Sequence, residues 1–492
     1  MYTIGYDVGS SSVKAALLEL GSGRIVGSAA SPEVELEIVS PRSGFAEQKP
    51  ETWWEHIKIA TAKLMSGSSV DKADVKAVGI SYQMHGLVLV DRNLEVLRPA
   101  IIWCDSRAVD IGDRAAEKIG RHKCLERLLN SPGNFTASKL KWVKDNEPDI
   151  YSRIYKAMLP GDYISMKMTG DIYTTRSGLS EAILWDFKAG RRADIVLDCF
   201  GIDGELLPDV VETFGDQGRL SSKAASELGL AAGTVVSYRG GDQPNNALSL
   251  GVLSPGEVAA TAGTSGVVCG VTDLCNYDAQ SRVNTFVHVN HTQAEPRYSV
   301  LLCVNGTGIL NSWLKHNVSG MDYPAMNDLA GRVRIGSDGL VVLPYGNGAE
   351  RTLGNRNIGA SVHGLDFNVH RREHLLRAGQ EGIVFALNYG LQIMRDMGID
   401  IKKARAGNAN MFLSPIFSQA FACLSGATVE LYNTDGSGGA ARGAGIGAGM
   451  YAGFDEAFAG LKTTKTIEPD EKLAKEYAAA YNKWLEVLNS EL

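Results

Sequence analysis

The chain is poor in cysteine: seven in 492 residues, at positions 104, 124, 199, 269, 275, 303 and 423, with no C-x-x-C pair. An odd, scattered set excludes a disulfide framework or a thiolate zinc site as the organising device, and buried thiols in a reducing compartment are expected. Zinc-protease H-E-x-x-H is absent, and so is G-x-x-x-x-G-K-[ST], which excludes a P-loop. Gly443, Gly445, Gly447 and Gly449 alternate but miss the G-x-G-x-x-G spacing and follow no evident strand–helix opening, which speaks against a Rossmann site. Positive charge is not in excess: 49 Lys and Arg face 56 Asp and Glu, a net −7. Nucleic acid and anionic membrane surfaces are therefore not expected partners. No apolar run is long enough to cross a bilayer, and Met1 leads into an apolar stretch without a basic leader, so the cytoplasm is the expected location.

What is present is globular composition, 44% hydrophobic and 21% charged, in a chain too long for a single core. Tyr2–Val8, Val13–Leu18 and Arg24–Ala29 read as three strands joined by tight turns. Pro50-Glu51-Thr52 opens a helix whose apolar face begins at Trp53, Trp54 and Ile57. Val75–Ser81, Leu87–Val90 and Ala100–Trp103 read as further strands. A comparable order returns in the second half: strands Glu257–Thr261 and Val267–Gly270 flank a small-residue turn, followed by a helix from about Asn305. A strand at Leu340–Leu343, a long helix over Arg371–Met397, strand Lys402–Ala406, a helix near Ser414–Cys423 and strand Thr428–Leu431 complete it. Two α/β halves are predicted, residues 1–248 and 249–492, with the seam near Leu248–Ser254. Leu473–Leu492 reads as a terminal amphipathic helix used for packing.

Four segments carry candidate chemistry. Asp7-Val8-Gly9-Ser10-Ser11-Ser12-Val13-Lys14 sets a carboxylate before a glycine, three hydroxyls and a lysine. Such a turn can aim N–H and O–H groups at phosphate oxygens, with Asp7 placed to hold a phosphate-bound Mg²⁺ through water. Gly263-Thr264-Ser265-Gly266 is a second turn of the same kind. Either alone is an ordinary hairpin; their recurrence at the start of both halves gives them weight. Gly240-Gly241-Asp242-Gln243 offers Asp242 as a general base toward a substrate hydroxyl, the one proton acceptor that phosphoryl transfer needs. Ser81-Tyr82-Gln83-Met84-His85-Gly86 brings polar groups to a strand end, where a polyhydroxylated ligand could bind. Trp103 could stack on a sugar or fill core.

Taken together these segments resemble the FGGY family of carbohydrate kinases. The likeness also rests on Glu47–Trp54, Arg98–Asp105, Asn134–Leu140, Leu159–Tyr163, Leu343-Pro344-Tyr345 and Glu350-Arg351-Thr352, and it runs to about Gly453. The resemblance implies an α/β fold of two ribonuclease-H-like, actin-like ATPase domains with an active-site cleft between them, ATP and Mg²⁺ as cofactors, and a small sugar as partner. It also makes a homodimer a family-level expectation. Carried over by motif, Asp242 resembles the catalytic base, and Asp7 the residue facing Mg²⁺ and the γ-phosphate. Gln83, Met84, His85, Trp103, Asp242 and Gln243 fall in the sugar-contacting segments. Ser10, Ser11, Ser12, Lys14, Gly263 and Thr264 resemble phosphate-loop positions, and the stretches Gly306–Asn311 and Gly407–Asn410, with Gly308, Asn311, Gly407 and Asn408 foremost, fall where the adenosine is held.

The implied reaction is transfer of the γ-phosphoryl group of ATP to the 5-hydroxyl of D-xylulose. Two features depart from the members it most resembles. Asn408 adds a side chain where they have glycine, and Gln243 stands where they commonly have asparagine. The alternatives are the same chemistry on ribulose, sedoheptulose or glycerol, or a non-catalytic sugar and nucleotide binder on the same fold.

Overall fold

A computed structural model describes all residues, 1–492. The chain forms two compact units.

The first unit is built from Met1–Gly251 together with Phe286–Arg297 and Thr434–Leu461. Its main sheet contains β1 (Tyr2–Val8), β2 (Val13–Glu19), β3 (Arg24–Ser31), β4 (Val75–Tyr82) and β5 (Val235–Gly241), in the order β5-β4-β1-β2-β3. β4 runs parallel to β1 and to β5, whereas β1, β2 and β3 are antiparallel neighbours. Ile4, Tyr6 and Val8 of β1 are fully buried because helices cover both faces of the sheet. On one face the helix Pro50–Ser66 presents Trp53, Ile57, Ala60 and Leu64, and its Thr61 hydroxyl meets Tyr6 Oη at 2.7 Å.

The other face is covered by the helix Gly436–Gly447, capped by Asp435 accepting from Gly438 N–H. This helix lies beyond the seam expected near residue 250 but packs within the first unit. It follows strand Thr428–Tyr432, so these glycines do come after a strand, contrary to the sequence reading. Gly443 and Gly447 serve close packing, since an added Cβ would stand 2.5 Å from Tyr238 Cγ and 1.8 Å from Ser237 O; nearby, Thr3 Oγ1 donates to Ala441 O and Ser237 Oγ to Ala444 O, each at 2.7 Å. A Cβ added at Gly5 would stand 2.1 Å from Ala441 N, and one at Gly79 2.0 Å from Ala440 O. Backbone meets backbone there, with no side chain between.

The second unit comprises Val252–Thr285, Tyr298–Asn433 and Lys462–Leu492. Six of the seven strands of its sheet are β6 (Glu257–Ala262), β7 (Gly266–Thr272), β8 (Tyr298–Val304), β9 (Lys403–Gly407), β10 (Thr428–Tyr432) and β11 (Thr463–Ile467), in the order β8-β7-β6-β9-β10-β11. The first five repeat the directions of the first unit: β8, β7 and β6 antiparallel in turn, then β9 and β10 parallel to β6. The helix Arg372–Asp396 buries Ile383, Val384, Phe385, Ala386 and Leu387 in the core of this unit.

Three predicted strands lie outside the main sheets. Val88–Val90 pairs with Lys156–Met158, Ala100–Ile101 with Glu47–Gln48, and Val341–Tyr345 with Gly359–His363. The helix predicted from about Asn305 begins at Gly308.

The glycine contacts generate a direct test. Gly79→Ala is expected to lower the stability of the first unit by about 2 kcal/mol or more, read as a lower urea midpoint. Gly21→Ala, where no atom lies within 4 Å of the added carbon, is expected to leave that midpoint unchanged.

Candidate active site

In the first unit the parallel strands end level with one another. Asp7 of β1 lies opposite Ser81 of β4, and Gly240 and Gly241 of β5 lie opposite Ser81 and Tyr82. The crevice beyond the carboxyl ends of such strands is where open α/β sheets place ligands. Segments separated by more than two hundred residues leave the sheet together at this point.

The β1–β2 turn is closed by Gly9 N–H donating to Ser12 O at 3.0 Å. Ser11 is exposed, Ser10 and Ser12 are half-buried, and exposed Lys14 pairs across the hairpin with Asp7. Trp103 is 53% exposed and donates its indole N–H to Ser10 Oγ at 3.2 Å. Its partner is thus the serine turn, and it does not fill core.

Asp7 accepts from Ser81 Oγ at 2.8 Å. Burial raises its pKa; the Ser81 hydrogen bond and Lys14 oppose this, and Asp435 adds to it. A Cβ on Gly436 would stand 2.6 Å from Asp7 Oδ2, so glycine is what admits that carboxyl beside the helix end. Asp242 begins the helix Asp242–Ser249 directly after β5. Burial, and then the negative charge of Asp7, push its pKa up to about 7, against hydrogen bonds from Gln243. The result is a carboxyl poised to exchange a proton near neutrality beside a second acid. Both carboxyls keep some exposure to solvent.

That arrangement fits a divalent cation. Asp435 and Asp242 each lie within electrostatic reach of Asp7, and positive charge beside it would relieve the repulsion. No group of three or more His, Cys, Asp or Glu side chains is drawn tightly enough to hold a bare ion. A cation here would keep waters and bring its own phosphate oxygens, as Mg²⁺ does.

The Gln83–His85 segment is more buried than a simple ligand surface. Gln83 is 2% and Met84 4% exposed. Gln83 Nε2 leans on Gln48 Oε1 at 3.4 Å, while its Oε1 is buried without a hydrogen-bond partner. Met84 packs over Gly241, where an added Cβ would come within 2.6 Å of Met84 Cγ. His85 holds a left-handed φ of 61°, uncommon for a residue with a side chain. Its N–H donates to Glu181 Oε2 at 3.2 Å, and its Nδ1 lies 3.0 Å from Glu181 O. Glu181 Oε1 accepts from Tyr82 Oη at 2.7 Å. Burial holds the Glu181 carboxyl well above the usual range, and the nearby Asp242 and Asp162 push the same way. Gln243 is half-buried beside Asp242.

In the second unit a cavity of about 700 Å³ is lined by Gly263, Thr264, Gly308, Asn311, Asn410 and neighbouring residues. The β6–β7 turn holds the following helix by its start, with Gly308 N–H donating to Gly263 O at 2.9 Å and Ile309 N–H to Thr264 O at 3.1 Å. Gly308 is required, since a Cβ there would stand 2.1 Å from Gly263 O. Ile309, Tyr323 and Leu413 expose apolar surface on the cavity walls, the setting a planar base needs between polar ends. Of the four adenosine positions taken from the sequence, Gly308 and Asn311 line the cavity. Gly407 and Asn408 do not, whereas Asn410, the last residue of the stretch Gly407–Asn410, does. Asn408 N–H is spent on Tyr432 O at 2.8 Å.

Sequence reading missed three residues of the first unit's crevice. Asp435 carried a signal, as an acidic cap before a glycine run. Lys139 was legible only as part of a motif. Glu181, inside an apolar stretch, carried none.

The model of the FGGY family of carbohydrate kinases, N-terminal domain, matches residues 2–249. The chain is 31% identical to a xylulose kinase of Bacillus subtilis over 401 residues, 81% of this chain and 78% of the relative. The solved structure of a xylulose kinase from Rhodospirillum rubrum superposes with a TM-score of 0.88 at 25% identity, covering 100% of this chain and 99% of that one. A gluconate kinase from Lactobacillus acidophilus shares the fold at 21% identity and a TM-score of 0.89, over 99% and 98% of the two chains. The fold is thus the two-domain actin-like ATPase fold, and the chain belongs to the FGGY family of carbohydrate kinases, which transfer a phosphoryl group from ATP to an alcohol group of a sugar.

Proposed function

We propose that the protein transfers the γ-phosphoryl group of ATP to the 5-hydroxyl of D-xylulose, giving D-xylulose 5-phosphate and ADP. The observation that carries this reading is the placement of Asp242: it follows directly on β5, where Gly240 and Asp7 both pair with Ser81, and burial and Asp7 push its carboxyl up to about 7. A base of that pKa takes the hydroxyl proton at neutral pH as the sugar oxygen attacks phosphorus and ADP departs. The choice of xylulose rests on the likeness to xylulose kinases.

His85, Met84, Trp103 and Gln243 surround the hydroxyl-bearing chain of the sugar in this reading. Buried Gln83 reaches it only through Oε1. Ser10, Ser11, Ser12 and Lys14 meet phosphate oxygens from the first unit, and Gly263 and Thr264 from the second. Gly308, Asn311 and Asn410 hold the adenosine in the apolar-walled cavity. Asp7 would hold Mg²⁺, and the ion when bound would supply positive charge against the phosphate oxygens. Transfer requires the γ-phosphate and the hydroxyl to be in line and water to be kept out as a competing acceptor.

Asp242→Asn is expected to lower kcat by about 10²–10⁴-fold with ATP affinity within twofold of the parent; full turnover would refute the base. In the parent, kcat/KM for sugar is expected to fall as pH drops below about 7. The same group makes a stability test. Its folded pKa lies above the ordinary aspartate value, so ionisation opposes folding: not at all below about pH 4, increasingly above that, and fully above about 7. Asp242→Asn is therefore expected to raise the melting temperature of the ligand-free protein at pH 8, with the gain shrinking toward pH 4. A panel of D-xylulose, D-ribulose, sedoheptulose, gluconate and glycerol with Mg-ATP tests the acceptor. The highest kcat/KM is expected for D-xylulose, and a higher value for any other compound would replace it.

A further inference from the structure

Lys139 lies on the helix Thr136–Asn146, with its side chain fully buried and in no ion pair. A buried ammonium without a carboxylate partner is costly, and an apolar side chain of similar size would usually be tolerated better. Its three N–H bonds must therefore achieve something a methyl group cannot. Nζ donates to His85 O at 2.8 Å and to Ile102 O at 3.0 Å. These two carbonyls belong to segments far apart in sequence. One leads out of β4 into Gln83-Met84-His85; the other immediately precedes Trp103, whose indole reaches the serine turn.

The bond to His85 acts on a residue that needs holding. With φ at 61° its peptide groups are turned out of the strand ladder, and each finds a buried charged or polar partner. On the amide side the partner is Glu181; on the carbonyl side it is Lys139. Thr136, from the same helix turn, donates to the next carbonyl, Gly86 O, at 3.3 Å.

We propose that Lys139 is a positioning residue for the sugar acceptor, fixing His85 and the Ile102–Trp103 segment relative to each other so that both face the hydroxyl over Asp242. This rests on the sugar site proposed above. Burial pushes the Lys139 amine down to about 7, opposed by Asp105 and Cys104. A neutral amine still carries two N–H bonds for the two carbonyls, so the clamp holds in either protonation state.

Lys139→Met fills the space and removes the donors. It is expected to raise KM for D-xylulose, or for whichever acceptor the panel ranks first, at least tenfold, with KM for ATP within twofold and kcat within threefold. Lys139→Gln keeps two N–H donors on a shorter stem and is expected to give a smaller rise, with ATP again unaffected. A purely structural role would shift sugar and ATP together, or lower only the yield and melting temperature. A sugar KM within twofold of the parent in Lys139→Met, or equal rises for both substrates in the two variants, would overturn the assignment. The outcome is separate from that of Asp242→Asn, which tests turnover: loss of turnover there with an unchanged sugar KM here leaves the base standing and removes the clamp.

Discussion

The backbone contact between the helix Gly436–Gly447 and strands β1 and β4 fixes more of the first unit than any other interaction. Gly5 and Gly79 let the helix lie directly on the sheet, and no larger residue fits at either position. The start of that helix then falls beside the end of β1, with Gly436 against the Asp7 carboxyl and Asp435 close enough to act on its charge. Asn245, in the helix that Asp242 begins, donates to Gly436 O at 2.8 Å and accepts from Tyr238 Oη at 3.1 Å. Three chain segments that carry acids are thus tied to one another by close backbone packing and an uncharged amide, and the site's charge is set by contacts that contain no charge.

Given that placement, the different characters of the carboxyls follow from their surroundings. Burial raises the pKa of Asp7 too, but a hydroxyl donor and a lysine across the hairpin favour its charged form and work against that rise. Asp242 has burial and a negative neighbour, eased by N–H groups at a helix start. Two aspartates within reach of each other cannot both ionise cheaply, so one carries the charge that suits a cation while the other keeps a pKa that suits proton transfer. Glu181 is a third case: buried beneath His85 and donating nothing to solvent, it serves as an acceptor for Tyr82 and for the His85 amide.

Much of this was legible in the sequence, and the reasons are local. Strand and turn signals at Tyr2–Lys14 and Glu257–Gly270 depend on residues within a few positions of one another, and both hairpins form as read. The repeat seen as a recurring order is a repeat of strand directions in the two sheets. Asp7 and Asp242 stood out because a carboxylate beside glycine at a strand end is a local pattern. What was not legible depends on contacts across hundreds of residues. Nothing near Gly443 says that its helix will lie on β1, so its alternating glycines read as an incomplete loop. Glu181 looks like a stray acid in an apolar run until the fold sets it under His85. Within the stretch Gly407–Asn410 only Asn410 lines the cavity, because the chain after β9 first spends Asn408 N–H on Tyr432 O before it turns toward it.

The same logic explains why the sugar site proposed here is assembled from buried polar groups. Hydrogen-bonding groups that must meet a polyol in a fixed geometry cannot be left to swing in water, and the strand ladder cannot hold them once the chain has left the sheet. Gln83 N–H makes the last ladder-like bond, to Val8 O at 2.9 Å; two residues later His85 has turned into the left-handed region. From that point order is supplied by side chains from other elements: Lys139 and Thr136 from one helix, Glu181 from another. Each is buried and each acts on the peptide backbone of the binding segment, so the cost of burying polar and charged groups is offset by fixing the segment before the ligand arrives. A ligand with several hydroxyls then meets a surface whose ordering entropy was already spent on folding.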